Sequence, residues 1–230
     1  MATRKDTCAP LLSLAVHEFR TPASVVSGYL RMLQRDDATP LNERHRRMVD
    51  EAEKSCARLV ALIAEMSEVA KLDEGLTPIG QTPVDVFAII QELAASVREA
   101  EDRDVRFEVR GETSGAALTG DATRLRGAFS AIVRAILREQ PSPSTVVAER
   151  RFDAQDGANA AVVVVAEASA VQTVYMSKPV SFDEKRGGLG LALPIARRII
   201  EAHGGRVWSP ASPAERSAAI VSLPLSQPRR

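Results

Sequence analysis

The sequence predicts two domains: an antiparallel helical hairpin that dimerises into a four-helix bundle, and an α+β sandwich in which helices cover one face of a mixed sheet. Three observations predict this fold class. Apolar residues recur at three- and four-residue steps through the first third, a stretch rich in Gly, Pro and Thr follows, and helix-like and strand-like patterns then alternate. We place the hairpin at 1–74, a linker at 75–82 and the sandwich at 83–230.

The first third predicts two long helices joined by a short loop. Apolar residues from Leu11 to Leu33 recur at helical spacing, and the turn-forming residues RDDATPLN follow. The second helix carries the four- and three-residue spacing of a bundle seam at Leu59, Ile63, Met66 and Ala70, extended towards the N-terminus by Ala52 and Cys56. One hairpin would leave this seam half exposed, so we expect two copies to pair into the bundle.

The sandwich domain is predicted element by element from alternating patterns. We expect a helix at 84–100, a strand at 104–110, a helix at 121–139, and strands at 145–152 and 160–166. An irregular stretch leads to RGGLGLALPIARRIIEAHGG, in which a glycine turn opens a helix that ends at Gly-Gly and is capped by His203. The strands RVWS and AAIVSLPL complete the sheet.

Composition limits the possible partners. Lys and Arg number 30, as do Asp and Glu, so the formal net charge is zero. A nucleic-acid or membrane-surface binder usually has a basic excess, and no apolar run reaches the roughly 18 residues of a membrane span, so we expect neither partner. We read no signal peptide. The two cysteines, Cys8 and Cys56, indicate no disulfide framework, which is typical of a cytoplasmic protein.

The segment AVHEFRTPASVV places an imidazole among small apolar residues. In a helix His17 and Thr21 share a face, and Glu18 is the next residue round. Pro22 removes a backbone donor and frees the carbonyl of Glu18, so a local bend is expected beside the histidine. A neutral imidazole is a usable nucleophile and a neighbouring carboxylate can take its proton. The residues alone leave open phosphoryl-transfer chemistry or a surface histidine beside a chance ion pair.

The hexapeptide HEFRTP resembles the phosphoacceptor H-box of dimeric sensor histidine kinases, and the resemblance runs from about residue 10 to residue 224. It implies that His17 is phosphorylated, that Glu18 acts as base, and that Thr21 positions water for dephosphorylating a partner. It also implies a histidine-kinase ATPase-like sandwich, a homodimer through the hairpin, and response-regulator receiver domains as partners. The candidate partner contacts are Arg20, Ser24 and Tyr29.

The second domain departs from that family at its nucleotide-binding positions. Ala135 stands at the magnesium-binding asparagine, and Ala131 at the asparagine position one turn earlier. The positions of the adenine-binding Asp-x-Gly-x-Gly turn are occupied by Ala166, Ala168 and Ala170, and the lid segment is MSKPVS, without phenylalanine. Only RGGLGLAL keeps the family pattern, with a remnant cofactor-binding turn at Gly187, Gly188 and Gly190.

These substitutions argue against nucleotide chemistry. An aspartate hydrogen bond to adenine would contribute roughly 1.5–3 kcal/mol. Alanine offers no oxygen to magnesium, and without the metal the triphosphate charge is uncompensated. We therefore expect no metal site and no cofactor. The three glycines are either a remnant of a phosphate-binding turn or a tight strand-to-helix connection.

Three functions remain. The first is a two-component phosphorelay protein whose His17 accepts and passes a phosphoryl group to or from response-regulator aspartates without ATP. The alternative is an ATP-dependent histidine autokinase with an atypical site, the only case that needs ATP and magnesium. The second alternative is a non-catalytic regulator or phosphatase of a response regulator. Only 16 residues precede His17, too few for a sensory domain, so a separate sensor kinase is a further candidate partner.

Overall fold

The computed structural model describes residues 8–36, 39–98, 101–155, 158–211 and 217–225. The chain divides into two compact units, Met1–Thr77 and Pro78–Arg230. Each unit has buried apolar residues of its own. Among the described helices, none is long and apolar enough to cross a membrane.

The first unit is a helical hairpin, as the sequence predicts. Helix α1 spans Cys8–Arg35 and contains Pro22, and helix α2 spans Glu43–Asp73. Asn42 caps α2, because its side-chain Oδ1 accepts a hydrogen bond from the His45 backbone N–H at 2.9 Å. Gln34 at the end of α1 donates to Asp50 near the start of α2 at 2.9 Å, and Cys56 further along α2 contacts Ala23 further back in α1, so the two helices run antiparallel.

The predicted seam of α2 divides into two columns. Cys56, Ile63 and Ala70 lie seven residues apart and are buried. Leu59, which we expected in the same seam, is 56% exposed. Each helix of a hairpin has only one neighbour, so one column of side chains faces α1 while the adjacent column, which contains Leu59, is left uncovered.

The second unit contains eight strands and four α-helices within the described residues. The helices are α3 (Val86–Ser96), α4 (Ala122–Glu139), α5 (Val171–Met176) and α6 (Ala192–Ala202). The strands are β1 (Thr82–Asp85), β2 (Val105–Gly111), β3 (Ala117–Gly120), β4 (Ser144–Gln155), β5 (Ala158–Glu167), β6 (Pro179–Ser181), β7 (Arg206–Pro210) and β8 (Ala219–Pro224).

Six of the strands form the predicted mixed sheet. Their order is β2-β4-β5-β8-β7-β6, and β1 pairs with β3 in a separate two-stranded sheet. Strands β2 and β4 are parallel, whereas the other neighbours are antiparallel. The central strand β5 reads AAVVVV, and its residues from 160 to 166 are all buried, as expected for a strand covered on both faces.

Helices contact both faces of this sheet. On one face, the Phe87 ring of α3 packs against Phe152 with ring centroids 5.0 Å apart. The Arg150 Nη1 donates to the Phe87 carbonyl oxygen at 3.0 Å on the same side. On the other face, the short helix α5 places Val171 and Val174 in an apolar cluster with alternate residues of β4, β5 and β8. The helices on the first face were predicted, whereas α5, on the opposite face, was not.

Two predicted elements need correction. The helix expected at 84–100 begins at Val86 and ends at Ser96, because the Asp85 side chain accepts hydrogen bonds from the backbone N–H groups of Phe87 and Ala88 and so caps it. The residues before the cap form β1. The stretch expected to be irregular contains α5 and β6, which are short and are stabilised by contacts with distant strands.

The end of α6 agrees with the predicted capping histidine. His203 is the C-cap residue, and its ring Nδ1 lies 2.7 Å from the Ile199 carbonyl oxygen. Its Nε2 accepts a hydrogen bond from the Asp121 backbone N–H at 2.9 Å. The two contacts fix the tautomer, with the proton on Nδ1, and connect the end of α6 to the start of α4.

Candidate functional site

The candidate phosphoacceptor lies on the surface of α1. His17 is exposed, and so are its neighbours Glu18, Arg20 and Thr21. The buried Val16 beside them contributes to the hairpin core and so holds this turn of the helix in place. The imidazole is therefore open to an incoming group while its backbone is anchored, which in-line phosphoryl transfer requires.

Pro22 interrupts the backbone hydrogen bonding of α1 one turn after the histidine. Proline has no N–H, so the carbonyl of Glu18 has no intrahelical donor at that position. One residue further on, the Ala23 carbonyl oxygen accepts a hydrogen bond from the Cys56 Sγ of α2 at 3.3 Å. Pro22 thus lies within α1 and α2 contacts the α1 backbone beside it, while the bend expected there stays a prediction.

A groove between the helices begins two turns below His17. Residues seven apart on a helix share a face and lie about 10.5 Å apart, which relates His17 to Ser24 and Ser24 to Arg31. The groove has a volume of about 530 Å³ and is lined by Ser24, Ser27, Gly28, Arg31, Glu53, Lys54, Ala57 and Val60. Half of its lining residues are small, namely Ser24, Ser27, Gly28 and Ala57, so a helix or loop of another protein can approach both helices closely.

Charged groups border this groove. Arg31 Nε lies 3.5 Å from Glu53 Oε1 across the two helices. The Glu51 carboxylate accepts a hydrogen bond from Lys54 at 2.8 Å, and this bond together with the charge of Glu51 raises the pKa of Lys54. Lys54 therefore stays cationic at any cellular pH, and the groove carries fixed charges of both signs.

The three predicted partner contacts lie in two different places. Arg20 and Ser24 are on the same side of α1 as His17, and Ser24 lines the groove. Tyr29 is 65% exposed and lines a separate depression with Met32 and Leu33. Five residues separate Ser24 from Tyr29, which turns their side chains away from each other on a helix.

The hairpin also has an uncovered apolar surface, which we call the apolar face. It comprises exposed side chains of both helices, namely Leu14, Val25, Val26, Tyr29, Met32 and Leu33 of α1 and Met48 and Leu59 of α2. Large contiguous apolar surfaces of this kind usually mark contacts between proteins. Among the described residues of the first unit, none covers these side chains.

In the second unit, Ala135, which we predicted to stand at the family's magnesium-binding asparagine, offers no ligand atom. Ala135 is completely buried on α4. A Cβ atom built on Gly187 would lie 2.6 Å from the Ala135 Cα and 2.9 Å from its Cβ, so the turn around Gly187 lies directly against this residue. Neither the volume nor the chemistry for a metal ligand is present at position 135.

The turn that contacts Ala135 is the segment Arg186–Gly190, here called the glycine turn. Gly187, Gly188 and Gly190 have φ angles of 68°, 60° and 63°, which favour glycine strongly over other residues. All three predicted remnant residues therefore adopt an unusual backbone. The turn conformation is therefore present beside the buried Ala135 of α4.

The family's adenine positions are part of an apolar core. Ala166 is completely buried and belongs to a cluster of eight buried residues, in which Val171 and Val174 of α5 cover it. Ala168 and Ala170 pack against the same cluster. These side chains provide no hydrogen-bond acceptor for an adenine amino group. Within the described ranges, no group of three or more His, Cys, Asp or Glu could hold a metal ion.

The structure also reveals charged residues that the sequence analysis did not single out. Glu139, Arg138 and Arg186 all contact or belong to the glycine turn. Burial lowers the pKa of Arg186, and the nearby Glu139 and Asp183 carboxylates oppose that shift. Arg186 adjoins the glycines in the sequence, but Glu139 lies 48 positions from Gly187, so the contact between Glu139 and Gly187 carries no local signal.

Comparisons with known proteins agree with this division into a hairpin and a sandwich. The family model of the His Kinase A (phospho-acceptor) domain matches residues 11–75. Sensor protein GacS of Pseudomonas syringae pv. syringae is 25% identical over 226 residues, an alignment that covers 93% of this chain and 24% of GacS. The probable sensor histidine kinase TcrY of Mycobacterium tuberculosis is 27% identical over 229 residues, covering 96% of this chain and 46% of TcrY.

Solved structures share the fold. Full-length ShkA, in complex with AMPPNP, superimposes with a TM-score of 0.67 at 21% identity and covers 96% of this chain and 47% of ShkA. The histidine kinase ThkA in complex with response regulator protein TrrA gives a TM-score of 0.58 at 16% identity, covering 94% of this chain and 61% of that one.

Residues 11–75 therefore match the His Kinase A phospho-acceptor domain model, and the chain as a whole shares the fold of solved histidine kinase structures. The relatives that it matches are sensor histidine kinases, and they support a role in two-component signalling. It spans about a quarter of the length of the first curated relatives it matches, 24% to 27%.

Proposed function

We propose that this protein is a phosphorelay component in which His17 accepts a phosphoryl group from the aspartyl phosphate of one response regulator and passes it to another, without using ATP. The imidazole nitrogen attacks phosphorus, the P–O bond to the aspartate breaks, and the aspartate leaves as a carboxylate. The proton released from the second ring nitrogen passes to Glu18. An acyl phosphate already carries the free energy for this step, so no nucleotide is needed.

One observation supports the ATP-free step most strongly: Gly187 lies against a buried alanine, Ala135, where a magnesium ligand would have to be. The aliphatic surroundings of Ala166 add to it. The residues present at these positions do not fit ATP with magnesium. The exposed His17 in a domain matched by a phospho-acceptor model supports the remaining half of the proposal.

The partners follow from the surfaces of the hairpin. A receiver domain would bind beside His17 along the groove, with Arg20 and Ser24 in contact and Thr21 placed to orient water for dephosphorylation. Tyr29, on the apolar face, would also contact the receiver domain. A second copy of the chain would pack on the apolar face and complete a four-helix bundle. A separate sensor kinase, in the cytoplasm, would phosphorylate the first response regulator. The complex of ThkA with TrrA is a precedent in the same fold.

The test is transfer of label from a phosphorylated receiver domain. A purified receiver carrying ³²P-aspartyl phosphate should label the wild-type chain and should not label His17→Ala. Incubation of the wild type with labelled ATP and magnesium should leave it unlabelled. If the receiver only loses phosphate faster, and Thr21→Ala stops that loss, the protein is a phosphatase of the regulator and the relay proposal is wrong.

An ATP-dependent autokinase is the second candidate, and the glycine turn favours it. Three glycines with positive φ precede α6, the arrangement that presents backbone N–H groups to phosphates. Under this reading ATP and magnesium are required. Calorimetric titration of the full chain with ADP and magnesium distinguishes the two, since heat of binding at micromolar to millimolar ADP, or rapid labelling of His17 by ATP, would favour the autokinase.

A further inference from the structure

The glycine turn is held closed by side chains of the chain itself. The backbone N–H of Gly187 donates to Glu139 Oε1 at 2.9 Å, and Arg138 Nη1 donates to the Gly187 carbonyl oxygen at 3.3 Å. The second oxygen of Glu139 accepts from the Ser217 hydroxyl at 3.3 Å. The end of α4 therefore contacts both polar groups of one glycine and the start of the segment that leads into β8.

Arg186 attaches the turn to the sheet. Its side chain is 6% exposed, its Nη1 donates to the Ala218 carbonyl oxygen at 2.8 Å and its Nη2 to the Ser209 hydroxyl at 3.0 Å. The guanidinium also lies 5.6 Å from the centre of the Phe182 ring. A buried cation with such partners is costly to move, so the turn is fixed on its sheet side as well.

An ion pair fixes the residues before the turn to α6. Arg197 of α6 contacts the carboxylates of both Glu184 and Glu201. The segment from Phe182 to Gly190 is thereby attached to α4, to α6 and to two strands. Each attachment joins residues far apart in sequence, so the closed turn belongs to the folded domain as a whole.

The chemistry of the Gly187 contact points to a specific role for Glu139. A free backbone N–H in a positive-φ glycine turn is a donor suited to a phosphate oxygen. Here that N–H already donates to a carboxylate oxygen, which is also an anion with trigonal acceptor geometry. The negative charge of Glu139 would in addition repel a polyphosphate at this position.

We propose that Glu139 is an internal substitute for phosphate at the glycine turn, so that the second domain is closed by its own carboxylate in place of a nucleotide. This proposal extends the proposed ATP-free relay, and it rests on the relay only because both require that the domain uses no nucleotide. In consequence the domain keeps one shape whatever the cellular concentration of ATP, and the state of His17 depends on its protein partners alone.

Hydrogen–deuterium exchange of the full chain tests this proposal. In the wild type, the amides of 186–190 should be protected, and ATP, ADP or inorganic pyrophosphate with magnesium should not change their exchange. In Glu139→Ala, these amides should exchange about 10-fold faster, and inorganic pyrophosphate should restore protection. Glu139→Gln keeps an acceptor oxygen but loses the charge, so it should retain most of the protection.

Controls are available in the same domain. Glu92→Ala removes an exposed carboxylate that pairs with Arg126 and lies outside the turn, so it should leave exchange at 186–190 unchanged. The amides of the buried strand residues 162–165 should exchange equally slowly in every variant, which reports that each one is folded.

Three results would overturn the proposal: unchanged exchange in Glu139→Ala, no restoration by pyrophosphate in that variant, or slower exchange of the wild-type turn with ATP and magnesium. Transfer of label from a phosphorylated receiver to His17, measured on the same samples, separates this inference from the relay. If label transfer succeeds while the exchange result fails, only the role of Glu139 is wrong. If the exchange result holds and label transfer fails, only the relay is wrong.

Discussion

Ala135 and Gly187 are in close contact, with no free volume between them. Neither residue could carry a larger side chain unless the other moved away. Ala135 is fully buried on α4, and the Gly187 backbone covers its methyl group. The identity of one residue therefore constrains the other. At the residue scale, the side chain at position 135 and the backbone of the turn are therefore coupled.

Restoring the family's asparagine should not restore magnesium binding. We expect Ala135→Asn to destabilise the fold by about 1–3 kcal/mol, because the larger side chain collides with the turn and buries an amide with few partners. Urea unfolding measures the loss, and calorimetry with ADP and magnesium should show no heat. Ala131→Asn, at a half-buried position on the same helix, is the control and should cost less. Magnesium-dependent ADP binding by Ala135→Asn would contradict the prediction.

Asp121 makes the stability of the second unit depend on pH in the acid range. Its Oδ1 accepts from the Arg124 backbone N–H at 3.0 Å, and its Oδ2 from the Gly80 N–H at 3.2 Å. The hydrogen bond from Arg124 is the main reason that the pKa of Asp121 is lowered, while partial burial opposes the shift. The ionised carboxylate thus stabilises the folded state above its ordinary pKa of 3.8.

That stabilisation should be lost as the pH falls below 3.8 through the lower pKa of the folded state. We expect Asp121→Asn, which keeps an acceptor oxygen but cannot ionise, to lose less stability than the wild type between about pH 7 and pH 3. Asp121→Ala should cost about 1 kcal/mol at neutral pH through loss of the helix cap. Urea unfolding of the full chain at each pH measures the stability of both variants. Glu108→Gln, on the surface of β2, is the control.

The two columns of α2 show at the scale of an element how a hairpin and a bundle differ. Cys56, Ile63 and Ala70 face α1, whereas Leu59 lies in the uncovered column. Removing a side chain from the buried column should lower the stability of a single hairpin. Removing one from the uncovered column should weaken the binding of whatever packs against the hairpin. The two kinds of position can be distinguished by experiment.

We expect Ile63→Ala to lower the unfolding free energy by about 2–4 kcal/mol through the cavity it leaves. Leu59→Lys should leave the hairpin helical but shift the chain from dimer to monomer, because a charged side chain then lies on the apolar face. Sedimentation velocity and circular dichroism measure the two effects. Arg44→Ala, at an exposed position on α2, should change neither, and a Leu59→Lys chain that remains dimeric would contradict the assignment of the face.

The long elements could be predicted from the sequence, and the short ones could not. Helices α1, α2, α4 and α6 each contain three or more turns with a regular apolar period, which is a local property. Strands β1 and β3 have four residues each and are defined by pairs of residues 32 to 38 positions apart, from Asp85 opposite Ala117 to Thr82 opposite Gly120. Such short strands, paired over such a separation, leave no recognisable pattern in a local stretch of sequence.

The whole molecule consists of a unit that carries the candidate phosphoacceptor and a unit that carries the closed turn. The histidine and its neighbours could be found from the sequence because they lie within five consecutive positions, His17 to Thr21. Ala135 and Ala166 could be assigned to the family's nucleotide-binding positions because they stand in recognisable segments, and that assignment stays a prediction. The closing of the turn was not, because it depends on Glu139 meeting Gly187 in the folded domain.

Because each unit has its own core, we expect the fragment Pro78–Arg230 to unfold in a single cooperative transition by itself. Its midpoint should not move when ATP and magnesium are added, since a ligand stabilises only the state that binds it. The hairpin fragment 1–77 should still take label from a phosphorylated receiver. Differential scanning calorimetry and label transfer measure these outcomes, and a rise in the melting temperature with ATP would contradict the first.

The thiol of Cys56 offers a way to observe the first unit in motion. Its sulfur is 4% exposed and donates to a main-chain oxygen of α1 beside Pro22. An alkylating reagent can reach that sulfur only when the two helices separate, so in a Cys8→Ser background the rate of alkylation counts separation events. If receiver docking or phosphorylation of the histidine clamps the helices together, the reagent should react more slowly, and a simple mass measurement would then report on signalling in real time.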